Sequence, residues 1–335
     1  MNLLDIFRGM IIGVANIIPG VSGGTLALVL GIFERLIGAI HKISFQTISA
    51  SIGLLRFNKK GWNDFTAELK RIDAYFLASI LIGAMISIGA LAKLMTYFLE
   101  HFHDPTYGFF WGLVLVSAWV PFKLIKKHTF FSVLAAVIAI AGVIILSSSV
   151  SDEEKINREQ TKYEIETQKT QISDTFVKGK TMQKPPSHYL FMVFAGAIGI
   201  SAMILPGISC SFLLLLMGAY FTILKAITEL DILTLGAVSI GCLIGILACS
   251  RLITYALKRW YDVTTSFLLG LVFGSLVAIW PFKGIATVGE KTVYLSSVLP
   301  SSFGLHEMFT ISAALVGGII VWIFIKIEKK GNIGA

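Results

Sequence analysis

Residues 17–25 read Ile-Ile-Pro-Gly-Val-Ser-Gly-Gly-Thr and interrupt an apolar run that extends from residue 7 to residue 40. Pro19 cannot donate a helical hydrogen bond, and Gly20 tolerates backbone angles that other residues avoid, so a helix must break here. In a lipid bilayer, broken backbone survives only where protein buries it or a watery cavity solvates it. The stretch therefore predicts a specialised, non-helical site at membrane depth.

The same break returns in the second half of the chain, where residues 204–211 read Ile-Leu-Pro-Gly-Ile-Ser-Cys-Ser. Residues 7–40 align without a gap with residues 194–227, so the prolines and the first serines of the two breaks coincide. Further along, Asp73 aligns with Asp231, so the offset between the aligned residues of the two halves becomes smaller. The first half has a basic insertion after its break, which accounts for the difference. Matched breaks in two halves are typical of transporters that bind their substrate between inverted repeats.

Composition places this chain in a membrane. Apolar residues make up 55% of it and charged residues 14%, and the mean hydropathy is +0.79. A soluble domain has about 25% charged residues, and several stretches here reach the roughly 18 apolar residues that a span requires. The net charge of +8 comes from basic residues at span ends and in short loops, which favours a membrane over a nucleic acid as partner. The three cysteines, Cys210, Cys242 and Cys249, lack metal-ligand spacing and are interpreted as small packing residues.

The pattern predicts an all-α integral membrane protein built as an inverted repeat, each half having one re-entrant helical hairpin and three transmembrane helices. The first repeat covers residues 1–149, with the hairpin at 7–40, a basic cytoplasmic insertion at 41–73 and spans over about 74–148. A hydrophilic external linker covers residues 150–188. The second repeat covers residues 189–335, with the hairpin at 190–227 and spans over about 232–326.

Charge also predicts the orientation. If each hairpin enters and leaves on one side, the basic 41–73 insertion and the basic C-terminal tail both face the cytoplasm, and the charge-balanced linker faces outside. Both termini are then cytoplasmic. Three crossings per half is an odd number, so the two hairpins approach the midplane from opposite faces.

Each break can present unpaired backbone amides and hydroxyls to a ligand. The start of a helix leaves N–H groups without partners and carries partial positive charge, so two helix starts facing each other would suit a phosphate. Alternatively, the proline and glycines only let the hairpins turn and pack, and the hydroxyls satisfy local backbone. The candidate substrate-binding residues are Asn16, Pro19, Gly20, Ser22, Gly23, Gly24 and Thr25 in the first break, and Pro206, Gly207, Ser209, Cys210 and Ser211 in the second.

Two interpretations remain open for each of three further cases among polar residues near the breaks or in the spans. Asn16 has no polar counterpart in the second half, and could either orient the turn or contact substrate. Glu34 and Arg35 close the first hairpin, where they could couple transport to an ion or form an interfacial pair. Lys93 and Arg251 are repeat-equivalent cations in apolar spans, and could meet a headgroup or extend to the nearest interface.

Two signatures resemble those of a known family. Residues 13–25, Gly-Val-Ala-Asn-Ile-Ile-Pro-Gly-Val-Ser-Gly-Gly-Thr, followed by Gly-Ile-Phe-Glu-Arg-Leu at 31–36, look like the first signature of a bacterial polyprenyl-phosphate transporter family (PopT-type, long described as a domain of unknown function). Residues 202–212 resemble its second signature, and the resemblance covers nearly the whole chain. The family pattern has aspartate in place of Asn16, which speaks against a proton-carrying role there, and glycine in place of Cys210.

The resemblance implies a transporter or flippase that recycles undecaprenyl phosphate across the bacterial cytoplasmic membrane. Its partners would be the polyprenyl phosphate and membrane lipids, with no nucleic acid, metal or cofactor, and coupling to protons or another ion stays open. A small-anion transporter or channel is an alternative. A polyprenyl-diphosphate phosphatase is another, since such enzymes share a Pro-Gly-x-Ser turn, but theirs is followed by a phosphate-gripping arginine where this chain has Gly23 and Cys210. We therefore expect no enzymatic activity.

Overall fold

A computed structural model describes residues 2–17, 23–54, 58–149, 151–157, 160, 185–206, 208, 210–229, 231–289, 291–300 and 303–331. The helices of the first half are α1 (Leu3–Ile17), α2 (Gly23–Val29), α3 (Phe33–His41), α4 (Phe45–Leu54), α5 (Lys59–Arg71), α6 (Ala74–His101), α7 (His103–Ser117), α8 (Trp119–Leu124) and α9 (Phe130–Ser148). The second half has α10 (Pro186–Ile204), α11 (Cys210–Leu216), α12 (Tyr220–Glu229), α13 (Ile232–Arg259), α14 (Tyr261–Ala278), strands β1 (Lys283–Val288) and β2 (Lys291–Ser297), and α15 (Leu305–Gly331).

Within the described residues, six helical segments are long and apolar enough to cross a membrane. They are His103–Leu124, Phe130–Ser148, Pro186–Ile204, Ile232–Arg259, Tyr261–Ala278 and Leu305–Ile323, and the pair formed by α5 and the start of α6, bent by 67°, would make a seventh. The helical, multi-span membrane class predicted from composition is confirmed. The 19 residues of α10 span about 28 Å, so length leaves open both a full crossing and a re-entrant leg for this helix.

Four pairs of long helices form the body of the protein, and each pair runs parallel. In the first half, α1 packs on α6: Gly9 faces Ile80, and Gly13, one turn later, faces Ala84. In the second half, α10 packs on α13 in the same way, because Gly241 faces Val193 and Gly245 faces Ala197. Glycine lets the backbones approach so closely that an added Cβ would collide with a facing carbonyl.

The other two pairs join the halves to each other. Helix α7 of the first half packs on α15 of the second, with Gly108 against Thr310 and Gly112 against Ala314. Helix α9 packs on α14, where Gly270 lies against Ala136. The central core runs through these contacts and includes side chains from both halves.

Polar contacts at the helix ends fall into two groups at opposite ends of the bundle. At the end we call the Arg35 end, Arg35 Nε donates to Asp73 Oδ2 over 2.7 Å, and the Lys126 backbone N–H donates to Asp262 over 2.9 Å. At the Asp104 end, reached through α6, His306 Nε2 lies 3.0 Å from Asp104 Oδ2. Each contact joins segments that the parallel pairing brings to the same end.

The basic insertion folds into two short helices at the Arg35 end. Glu68 of α5 is 8% exposed and accepts hydrogen bonds from Arg71 and from the hydroxyl of Thr47 on α4. The Arg71 guanidinium, helped by Thr47, lowers the pKa of the Glu68 carboxyl to about 2. Trp62 is exposed on the same helix, as expected for a helix that rests on a membrane surface.

An antiparallel hairpin of β1 and β2 caps the Asp104 end, and the all-α prediction did not include it. Val288 pairs with Lys291 across a turn in which Gly289 has a φ of +60°. A glycine in the left-handed region is a hairpin signal. The hairpin was not predicted because its short alternating segment directly follows an apolar span.

Candidate functional site at the paired breaks

The two breaks meet inside the protein. Helix α10 ends at Ile204 because Leu205 is extended, with a ψ of 131°, as a residue before proline prefers to be. Gly24, in the first turn of α2, lies directly against the end of α10, and an added Cβ would collide with the carbonyl oxygen of Ile204. Pro206 is buried. The break in the first half therefore contacts the break in the second half.

Asn16 holds the two sides of the first break together. Its side-chain oxygen accepts a hydrogen bond of 3.1 Å from the backbone N–H of Gly23, where α2 begins. This bond satisfies one of the amides that a helix start leaves unpaired. The geometry favours the turn-orienting interpretation of Asn16 over direct substrate contact.

The structure places some of the candidate substrate-binding residues beside the contact between the breaks, and the others lie outside the described residues. Thr25 is 1% exposed within the core, and Cys210 points toward α10, where its sulfur lies near Gly199. Of the described candidates in the breaks, Gly23, Gly24, Thr25 and Pro206 are buried and Cys210 is half-buried, whereas Asn16 is exposed. Outside the described residues are Pro19, Gly20, Ser22, Gly207 and Ser209, and the side chains of Ser211 and Lys93 are likewise not described.

Glu34 and Arg35 each bond to a different helix instead of to each other. Glu34 Oε1 accepts a 2.7 Å hydrogen bond from the hydroxyl of Tyr261 on α14. Arg35 bonds to Asp73, lies 3.6 Å from Asp5 and stacks over Phe76 at 3.9 Å from the ring centroid. These contacts tie α3 to α1, α6 and α14, so they indicate a locking role at the Arg35 end.

Sequence reasoning missed the partners Asp5 and Tyr261. Asp5 is 3% exposed and also accepts a hydrogen bond from Arg8 at 3.1 Å. A buried carboxylate needs such partners because an unpaired charge costs several kcal/mol. An acidic residue just before a long apolar run was a usable signal for Asp5, whereas Tyr261 lies 227 residues from Glu34 and no local pattern links them.

Arg251 is exposed on α13, two residues after Cys249, whose sulfur lies 3.9 Å from the Ser201 carbonyl oxygen near the end of α10. Arg251 lies eight residues before the end of α13, or about 12 Å, which a long cationic side chain can bridge in part by extending toward the interface. Both interpretations of Arg251, extension to the interface and contact with a headgroup, therefore stay predictions.

A second polar cluster gathers at the Asp104 end. Asp104 lies between His103, at 2.8 Å, and His306, at 3.0 Å, and the His103 ring stacks on Tyr294 of β2. Lys283 Nζ donates to the Ala278 carbonyl and to the Ser297 hydroxyl, and burial lowers the pKa of its ammonium to about 8. In the part of the chain that the structure describes, no group of His, Cys, Asp and Glu is arranged to hold a metal.

The fold defines a multi-span helical membrane protein in which the two breaks contact each other. The chain belongs to the undecaprenyl phosphate translocase-like family, whose model matches residues 12–295. A polyprenyl-phosphate transporter of Vibrio cholerae serotype O1 is 34% identical over 291 residues, which cover 84% of this chain and 79% of the relative. A polyprenyl-phosphate transporter of Staphylococcus aureus is 32% identical over 286 residues, covering 83% and 86%. No solved structure matches this chain.

Proposed function

We propose that this protein is a flippase for a polyprenyl phosphate such as undecaprenyl phosphate in the bacterial cytoplasmic membrane. The two breaks jointly hold the phosphate head, while the prenyl tail stays in the lipid. The observation that carries this proposal is the contact of Gly24 with Ile204, which brings the two breaks together between the halves. The names of the two relatives support the substrate class.

The parallel packing of α1 on α6 supports a re-entrant first hairpin. Two parallel helices start at the same end of the bundle, so the chain returns to its starting end between residues 17 and 74. Helix α2 has seven residues, or about 10 Å, and cannot by itself cross a core of about 30 Å. The parallel pair α10 and α13 supports the same path for the second hairpin, entered from the opposite end.

The repeat-equivalent glycine contacts support an inverted repeat. Gly83 faces the carbonyl of Ile6, and its equivalent Gly241 faces the carbonyl of Val193, the equivalent of Ile6. Likewise, Gly9 faces Ile80 in the first half, and their equivalents Gly196 and Val238 face each other in the second half. Since α1 and α10 start at opposite ends, the two halves have opposite directions.

An asymmetry between the halves supports alternating access. Helix α3 packs along α13 of the other half, whereas no packing of comparable extent joins the equivalent helices α12 and α6 among the described residues. The Glu34–Tyr261 bond has no equivalent either, because Phe221 stands in place of Glu34. We interpret this arrangement as a state closed at the Arg35 end. If α3 separated from α13 and α12 packed on α6, the Asp104 end would close instead.

Transport by the purified protein in liposomes tests the proposal. We expect undecaprenyl phosphate to move between leaflets, and comparison with and without a pH gradient reports proton coupling. Ser22→Leu or Ser209→Leu should abolish movement by filling the phosphate site. Ser239→Leu is the matched control, because Ser239 is exposed and its hydroxyl bonds to its own helix.

Two other outcomes would contradict the proposal. Release of inorganic phosphate from undecaprenyl diphosphate would identify a phosphatase. Flux of chloride or sulfate without lipid movement would identify a small-anion transporter or channel. Full lipid transport by the Ser22→Leu and Ser209→Leu variants would show that the phosphate binds elsewhere.

A further inference from the structure

An apolar groove of about 580 Å³ lies between the parallel helices α7 and α15. Trp111 and Val116 line it from α7, and Ala314 and Trp322 line it from α15, while residues 280–282 close the Asp104 end. The indole N–H of Trp111 donates to the Leu276 carbonyl, and that of Trp280 to the Val298 carbonyl. These two indoles satisfy their polar atoms within the protein.

The shape of the groove suits one hydrocarbon chain. Its lining extends along α15 from Thr310 to Trp322, a rise of about 18 Å. The lining is almost entirely apolar along this length. A long apolar groove of this kind suits an extended hydrocarbon chain.

Positive charge stands at both ends of the groove. At the Arg35 end, Lys326 Nζ lies 3.8 Å from the ring centroid of Trp322. At the Asp104 end, Lys283 directly follows the lining residue Phe282. An anionic head therefore finds a cation near either end of the groove before it enters the paired breaks or after it leaves them.

The groove also shares a wall with the paired breaks. Trp111 and Val116 pack against the same core cluster as Ile204 and Leu205, at the end of α10. Helix α7 also contacts α2, the helix that follows the first break. A tail in the groove is thus separated from the phosphate site by one helix.

We propose that this groove binds the polyprenyl tail of the carried lipid, in the segment nearest the phosphate. The proposal rests on the proposed function. That function requires only that the tail remain in the lipid, whereas the groove gives the tail a binding site on the protein. Binding there would keep the tail beside α7 while the head passes between the breaks.

Narrowing the groove tests the proposal. Ala314→Leu adds bulk inside the groove, and Ala141→Leu makes the same change on the exposed surface of α9. In liposomes, we expect Ala314→Leu to slow transport of undecaprenyl phosphate by about fivefold or more through lost apolar contact. Transport of geranyl phosphate, whose short tail fills only part of the groove, should slow less, and Ala141→Leu should behave as wild type with both lipids.

A second measurement does not depend on transport. Undecaprenyl phosphate with a nitroxide on the tail segment nearest the phosphate should quench tryptophan fluorescence, and Trp322→Phe should reduce the quenching. Equal slowing of both prenyl phosphates by Ala314→Leu, or no slowing, would overturn the groove proposal, as would equal quenching by a nitroxide-labelled phospholipid. If wild type moves neither prenyl phosphate, the proposed function fails, and quenching still reports which lipid occupies the groove.

Discussion

Asn16 shows how one side chain can control a break in a helix. It lies in the last turn of α1, and its oxygen reaches across five undescribed residues to the amide of Gly23. The bond fixes where α2 starts, and therefore where Gly24 meets Ile204. A polar residue at this position is needed for its acceptor oxygen, which aspartate would supply as well as asparagine does.

Asn16→Ala should lower the stability of the protein by about 1 kcal/mol, the usual value of a lost helix cap. Thermal unfolding in detergent measures the change as a lower Tm. Asn16→Asp keeps the acceptor and should retain the wild-type Tm. Equal Tm values for wild type and Asn16→Ala would show that the bond to Gly23 contributes nothing to stability.

At the scale of elements, glycine sets which helices pair and how closely. Gly83 faces the backbone of α1 near Ile6, while Gly89, six residues along the same helix, has nothing within 4 Å of an added Cβ. Both glycines are in a helix interior, where their intrinsic cost is the same. The difference between them is therefore a difference in packing.

Gly83→Leu should prevent α1 from packing on α6 and reduce the yield of folded protein, because backbone atoms cannot move aside as a flexible side chain can. Gly89→Leu on the same helix should fold normally. Size-exclusion chromatography in detergent compares the two variants. A monodisperse Gly83→Leu protein with wild-type Tm would contradict the described contact, and its equivalent Gly241→Leu offers an independent repetition in the second half.

At the scale of the whole molecule, the parallel pairs determine which segments share an end. The Arg35 end gathers Asp73, Lys126 and Asp262, and the Asp104 end gathers His306 and the β-hairpin. The contact between Ser296 and Asp152 brings the start of the linker to the Asp104 end as well. The excess of basic residues near the Arg35 end predicts that this end faces the cytoplasm.

Cysteine labelling tests that orientation. With the three native cysteines replaced by alanine, Lys60→Cys should react with an impermeant maleimide only after the membrane is opened, whereas Glu153→Cys should react in intact cells. Both residues are exposed. Labelling of both cysteines from one side would refute the assignment of the two residues to opposite ends of the bundle. Labelling of Lys60→Cys alone in intact cells would show that the protein has the opposite orientation in the membrane.

The residues at the Arg35 end show where prediction from sequence stops. The apolar runs and the proline-glycine breaks predict spans and interruptions, because these follow from backbone chemistry within a few residues. The partners of Glu34 and Arg35 depend on which distant helices lie beside α3. The sequence left open ion coupling and an interfacial pair for these two residues, and it gave no signal for Tyr261 and Asp73, to which the fold bonds them.

By itself, the sequence determined that this chain is a helical membrane protein, and it predicted two matching breaks in two repeated halves, since hydropathy, proline and glycine act locally. Only the tertiary structure decided that Gly24 lies against Ile204, that α7 and α15 leave an apolar groove between them, and that α3 packs on the opposite half while α12 does not pack comparably on α6. The physical reason is that close packing between helices depends on the shapes of surfaces far apart in the chain, and those shapes exist only once the helices have been brought together.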